Sequence, residues 1–75
     1  MTSAALSQVC KTHNLPSEGW TFWVPAYYKN NELDIPEMWK IRHDGEELTA
    51  YIRPGVDVRI RNHRNADFIV TEVLA

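Results

Sequence analysis

A chain of 75 residues, 44% hydrophobic and 24% charged, with a formal net charge of −2, reads as one small globular domain (residues 1–75), too short for a second and too ordinary in composition for disorder. The charge excludes a molecule that is basic throughout, and the single cysteine, Cys10, excludes an internal disulfide and a cysteine metal cluster. No apolar run approaches the roughly 20 residues of a membrane span, and residues 1–10 lack the basic start and apolar stretch of a signal peptide, so the expected setting is cytoplasmic and away from membranes.

Residues 3–13 are predicted as a helix. Leu6, Val9, Cys10 and His13 fall at i, i+3, i+4 and i+7 and share one face. Thr2 or Ser3 is placed to cap the start. Asn14 ahead of Leu15-Pro16 ends the helix, because the residue before proline is pushed out of the α region. The helix face predicts His13 at the edge of the core. A helix-turn-helix reading of residues 4–20 fails, since Gly19, Thr21, Val24 and Pro25 break the second helix.

Residues 20–24 form a strand candidate, rich in aromatic and β-branched side chains and stopped by Pro25. Simple alternation sends Trp20, Phe22 and Val24 one way and Thr21 and Trp23 the other, so one tryptophan is expected in the core and the other half-exposed. Residues 26–37 give no clean pattern. Tyr27-Tyr28 continue an extended run, residues 29–32 read as a loop, and Asp34-Ile35-Pro36 keep the chain irregular.

The pattern sharpens after Glu37. Residues 38–43 and 46–53 flank Asp44-Gly45, the pair preferred in a two-residue type I′ hairpin turn. That turn sets His43 opposite Glu46, Ile41 opposite Leu48 and Trp39 opposite Ala50, and it puts Arg42 opposite Glu47 on the other face. After Arg53-Pro54-Gly55 comes a strand over residues 56–62. A three-residue connection sets Ile52 against Val56, Ala50 against Val58 and Leu48 against Ile60. A five-residue connection keeps the same parity and spares Arg53 the helical angles that a following proline disfavours. Residues 63–66 read as a loop and 67–74 as a last strand. Its consecutive Phe68, Ile69 and Val70 imply cover on both faces. The fold class is therefore α+β: one N-terminal helix packed on a twisted antiparallel sheet of four to five strands. The alternative is a small SH3-like barrel with the helix appended.

Alternation predicts an inner face of Trp39, Ile41, Leu48, Ala50, Ile52, Val56, Val58 and Ile60. The outer face then carries Lys40, Arg42, Arg53, Arg59 and Arg61 with Glu47, Asp57, Thr49 and Tyr51. An exposed sheet face carries charge for solubility in any case, with Glu47 pairing Arg42 and Arg61. Four of the five cations are arginine, whose planar fork suits carboxylate, phosphate or aromatic recognition. Arg42, Arg53, Arg59, Arg61, Tyr51, Trp23 and Tyr27 are accordingly the candidate binding residues, with Trp23 and Tyr27 or Tyr28 as an exposed aromatic cluster.

No phosphate loop, nucleophile elbow or paired-carboxylate motif is present, and His13, His43 and His63 lack metal-ligand spacing. The expected function is a non-enzymatic protein-interaction module, of adaptor or inhibitor type, with no cofactor and no metal. Its partner is another protein or a second copy, the latter suggested by the apolar end strand. The alternative is a nucleic-acid binder using the same arginine face with Tyr51 or Trp23 as stacking platforms. A third reading, a small nuclease using His43 or His63 as general base, needs only common residues.

Overall fold

The computed structural model describes residues 3–64 and 67–74. Thr2 of the expected cap and residues 65–66 of the expected loop lie outside them. One helix, α1 (Ala4–Thr12), precedes seven strands: β1 (Thr21–Val24), β2 (Tyr27–Lys29), β3 (Glu32–Ile35), β4 (Glu37–His43), β5 (Glu46–Arg53), β6 (Asp57–Asn62) and β7 (Phe68–Val73). Five of them form an antiparallel sheet in the order β1-β4-β5-β6-β7, while β2 and β3 pair apart as a two-stranded sheet. The fold is α+β. Among the described residues the sheet does not close into a barrel, and β1 and β7 are its edges.

Helix α1 starts where Ser3 Oγ accepts the Leu6 N–H at 3.0 Å, supplying an acceptor to one of the orphan amides of the first turn. It ends through Asn14, which takes a left-handed φ of 57°. The Leu15 N–H then bonds back to the Cys10 carbonyl at 2.8 Å, the long bond of a Schellman cap. Leu6, Val9 and Cys10 are buried against Val58, Ile60 and the other inner-face residues of the sheet. His13 departs from the expected core edge: it is exposed and meets Glu72 at 3.3 Å, Nε2 to Oε2. It sits one residue past α1 at the C-cap, where the chain is already turning away.

The Asp44-Gly45 hairpin forms in the expected register, with His43 opposite Glu46, Ile41 opposite Leu48 and Trp39 opposite Ala50. Both turn residues have positive φ, 52° and 77°, as a type I′ turn requires. The next hairpin departs from the register of the three-residue connection and takes that of the five-residue one, with Arg53 and Asp57 pairing as well, so that the turn itself is Pro54-Gly55-Val56. Ile52 pairs with Val58, Ala50 with Ile60, Leu48 with Asn62 and Arg53 with Asp57. Parity survives this two-residue slide, so the inner face remains apolar except for Asn62, buried opposite Leu48. Val56, however, leaves the inner face for the turn and is exposed.

Two bulges account for two further departures. In β1, Phe22 faces Trp39 and Val24 faces Met38, so Trp23 is the extra residue and Val24 is turned onto the outer face. In β7, Val70 faces Ile60 while Phe68 faces Arg61, which makes Ile69 the extra residue. The expected cover on both faces of β7 is therefore not found: Val70 is buried, but Phe68 and Ile69 are exposed.

Residues 26–37 hold more order than their composition suggests. β2 and β3 join through Asn30-Asn31, both at positive φ (54° and 64°), which is again a type I′ turn. β1 with β4 and β2 with β3 form one long hairpin interrupted at Pro25 and Pro36. Proline has no N–H to donate to a ladder. The distal part, Tyr27 to Ile35, thus becomes a separate arm. Every residue of it is exposed except Leu33, which is half-buried.

Candidate functional site, the outer face of the sheet

The slide between β5 and β6 decides what stands beside what on the outer face. It moves Arg61 away from Glu47 and sets it opposite Thr49, sets Arg59 opposite Tyr51, and sets Arg53 opposite Asp57. The expected pairing of Glu47 with Arg42 and Arg61 is not formed. Glu47 meets Lys40 instead, at 3.6 Å. Among the described residues no carboxylate lies within ion-pair distance of Arg42 or Arg61.

Asp57 is the fixed point of the site. Only 3% of it is exposed, and burial of a lone carboxylate is costly unless charge and hydrogen bonds compensate it. Arg53 donates from Nε to Oδ1 at 2.8 Å and from Nη2 to Oδ2 at 2.5 Å, and Arg59 Nε approaches Oδ2 at 3.3 Å. The hydrogen bonds from Arg53 hold the Asp57 carboxyl below the ordinary carboxylate range, against the opposing effect of burial, and the charges of Arg53 and Arg59 add to the depression. The Arg53 guanidinium is raised in turn, its hydrogen bond to Asp57 being the largest cause.

Two rings complete the cluster. Tyr51 and Phe68 meet edge to face, with centroids 5.7 Å apart and planes at 86°, a favoured geometry for aromatic quadrupoles. Arg61 donates from Nη2 to the Tyr51 hydroxyl at 2.8 Å. Its guanidinium carbon lies 5.4 Å from the Tyr51 ring, and that of Arg59 lies 5.5 Å from the Phe68 ring, both within cation–π range. Pro36, Tyr51, Arg53, Asp57, Arg59 and Phe68 line a hollow of about 210 Å³. Two rings, a proline, two guanidinium groups and the Asp57 carboxylate thus share one lining. The sequence pattern does not bring Phe68 to this face, because its place depends on the β7 bulge.

The remaining candidates lie elsewhere. Arg42 is exposed on β4, two strands and one residue pair from Arg61, roughly 12 Å by strand spacing and rise. Trp23, 51% exposed, lies beneath Lys40, whose Nζ is 3.6 Å from the ring centroid. Trp20 is buried and donates its Nε1–H to the Pro16 carbonyl at 2.8 Å, so the expected split between the two tryptophans is found. Tyr27 and Tyr28 are on the arm, and among the described residues no ring contact joins them to Trp23. His43 lies 3.3 Å from Asp44, and His63 is exposed. The described residues contain no group of three or more His, Cys, Asp or Glu arranged to hold a metal ion, and no helix long and apolar enough to cross a membrane.

No protein-family model matches this chain, and neither a curated protein nor a solved structure matches it.

Proposed function

We propose that this protein is a non-enzymatic interaction module whose outer sheet face receives an acidic protein segment, from another protein or from a second copy. The observation that carries this reading is the hollow lined by Tyr51, Phe68, Arg53 and Arg59, with Arg61 held beside it by a neutral hydroxyl rather than an acid. A guanidinium positioned in advance and not already neutralised is suited to a carboxylate. The adjoining rings offer a partner the rigid apolar area that dominates interface energetics. A reducing cytoplasmic setting suits the free thiol of Cys10.

The test exchanges Arg42, Arg59 and Arg61 together for Gln. Arg42 is exposed and Arg61 is half-buried without a carboxylate partner, while Arg59 gives up only its 3.3 Å contact with Asp57, which Arg53 still holds at two points, so the variant should still fold, at a cost of about 1–3 kcal/mol. It should lose the proteins that the wild-type domain captures, because truncating charge pairs buried in an interface costs about 2–5 kcal/mol each. A folded triple variant that captures the same proteins would reduce the face to solvated charge.

Nucleic acid is the second reading, favoured by the cation-flanked rings of Tyr51 and Phe68, which resemble a base-stacking platform. Against it stand the net charge of −2 and the acids Glu47 and Asp57 set among the cations. Tight binding of single-stranded RNA near physiological salt, weakening steeply as salt rises, would favour this reading over the first.

A further inference from the structure

From the β2–β3 arm we infer that the acidic segment received by the outer face is supplied by a second copy of this chain, the two copies exchanging arms. The inference rests on the reading of the outer face as a docking surface and adds the identity of the partner.

Three observations carry it. The arm is an isolated two-stranded ribbon, and such ribbons are marginal in water unless something covers them. It is nevertheless regular, with Tyr27 paired to Ile35, Tyr28 to Leu33 and Lys29 to Glu32, and Tyr27, Tyr28 and Ile35 are all exposed. Its charge opposes that of the outer face: Glu32 and Asp34 stand against Lys29 alone, whereas the face holds Arg42 and Arg61 without carboxylate partners among the described residues. Finally, Pro25 and Pro36 interrupt the ladder at the base of the arm, and Pro36 itself lines the hollow.

The dimensions agree. At about 3.3 Å per residue the arm reaches roughly 13–16 Å beyond its prolines, enough to lie along the roughly 12 Å between Arg42 and Arg61 of a second copy. Exchange around a two-fold axis uses both arms and both faces once each. The contact therefore closes at two copies and does not propagate into a filament.

The experiment is sedimentation equilibrium at micromolar concentration on the wild type and two charge-reversed variants, each checked for fold by circular dichroism. The arm variant is Glu32→Lys with Asp34→Lys. The face variant is Arg42→Glu with Arg61→Glu, which leaves the Arg53–Asp57–Arg59 cluster intact. The wild type should be a dimer. Each variant alone should dissociate at least about tenfold more readily, and an equimolar mixture should recover a heterodimer, since both arm-to-face contacts are then complementary again. If the face variant fails to fold, Arg61→Gln takes its place and should weaken the dimer without the mixing rescue. A wild-type monomer overturns arm exchange but leaves the face free to capture another protein, which the triple Gln variant tests separately. A dimer indifferent to both variants but broken by Ile69→Lys would place the contact on the β7 edge and also overturn the inference.

Discussion

Arg53 holds both carboxylate oxygens of Asp57, one through Nε at 2.8 Å and the other through Nη2 at 2.5 Å. This two-point grip spans the closing pair of the β5–β6 hairpin, so it pins the register that arranges the rest of the outer face.

The grip gives stability a pH dependence of known sign. The folded state lowers the pKa of Asp57, so the unfolded chain takes up its proton first as the solution is acidified. The stabilisation is complete above the ordinary carboxylate range near pH 4, declines as pH falls below it, and is gone below the lowered folded pKa. Asp57→Asn should be less stable than the wild type at neutral pH and lose less on acidification. Urea midpoints measured across the acid range check this, and parallel acid limbs for the two proteins would contradict it.

Gly45→Val should destabilise by about 1–3 kcal/mol through backbone conformation alone. Gly45 sits at φ 77°, yet a Cβ there would meet nothing within 4 Å. A thermal melt reads the cost directly. An unchanged midpoint would mean the turn relaxes into another type at no expense.

Cys10 is fully buried, and burial raises its thiol pKa, with the nearby Trp20 indole opposing the rise only in part. Thiol reagents should therefore modify it only as fast as the fold opens. Leu6→Ala, at a site with no exposed surface, should cost about 2–5 kcal/mol and speed the modification accordingly. Immediate labelling of the native wild type would show that α1 lifts away on its own.

The sequence discloses the β4–β5 hairpin because two independent signals agree there, the Asp44-Gly45 turn and the alternation on either side of it. It does not disclose the arm. Asn30-Asn31 is also a positive-φ pair, but the strands beside it bury only part of Leu33 and so lack the alternation that marks a half-buried strand. Arg53-Pro54-Gly55 allows two connections of equal parity, and hydrophobicity cannot choose between connections that keep the same face inward. The choice falls where Asp57 meets Arg53, which is a question of charge. For that reason the arginines are legible as a group and their neighbours are not: alternation puts Arg61 beside Glu47, and the fold puts it beside Tyr51.

Replacing Asn30 and Asn31 together by Ala should melt the arm and spare the domain. Alanine resists the left-handed angles of a type I′ turn, and the arm contributes no residue to the buried core. Amide chemical shifts of residues 27–35 should move to random-coil values with the global midpoint within about 1 kcal/mol of the wild type. A large global loss would make the arm part of the folding unit.

Strands β4 to β7 each lie beside their neighbour in sequence, so successive hairpins can close over short loops at little entropic cost. Helix α1 is satisfied by Val58 and Ile60 of β6, some fifty positions downstream. On a ribosome, which delivers a chain from its N-terminal side, the helix would emerge before the strand it packs against and be among the last elements to find its counterpart. Leu6 and Val9 must wait in water until β6 has emerged, and the domain is most exposed to proteases and chaperones during that interval.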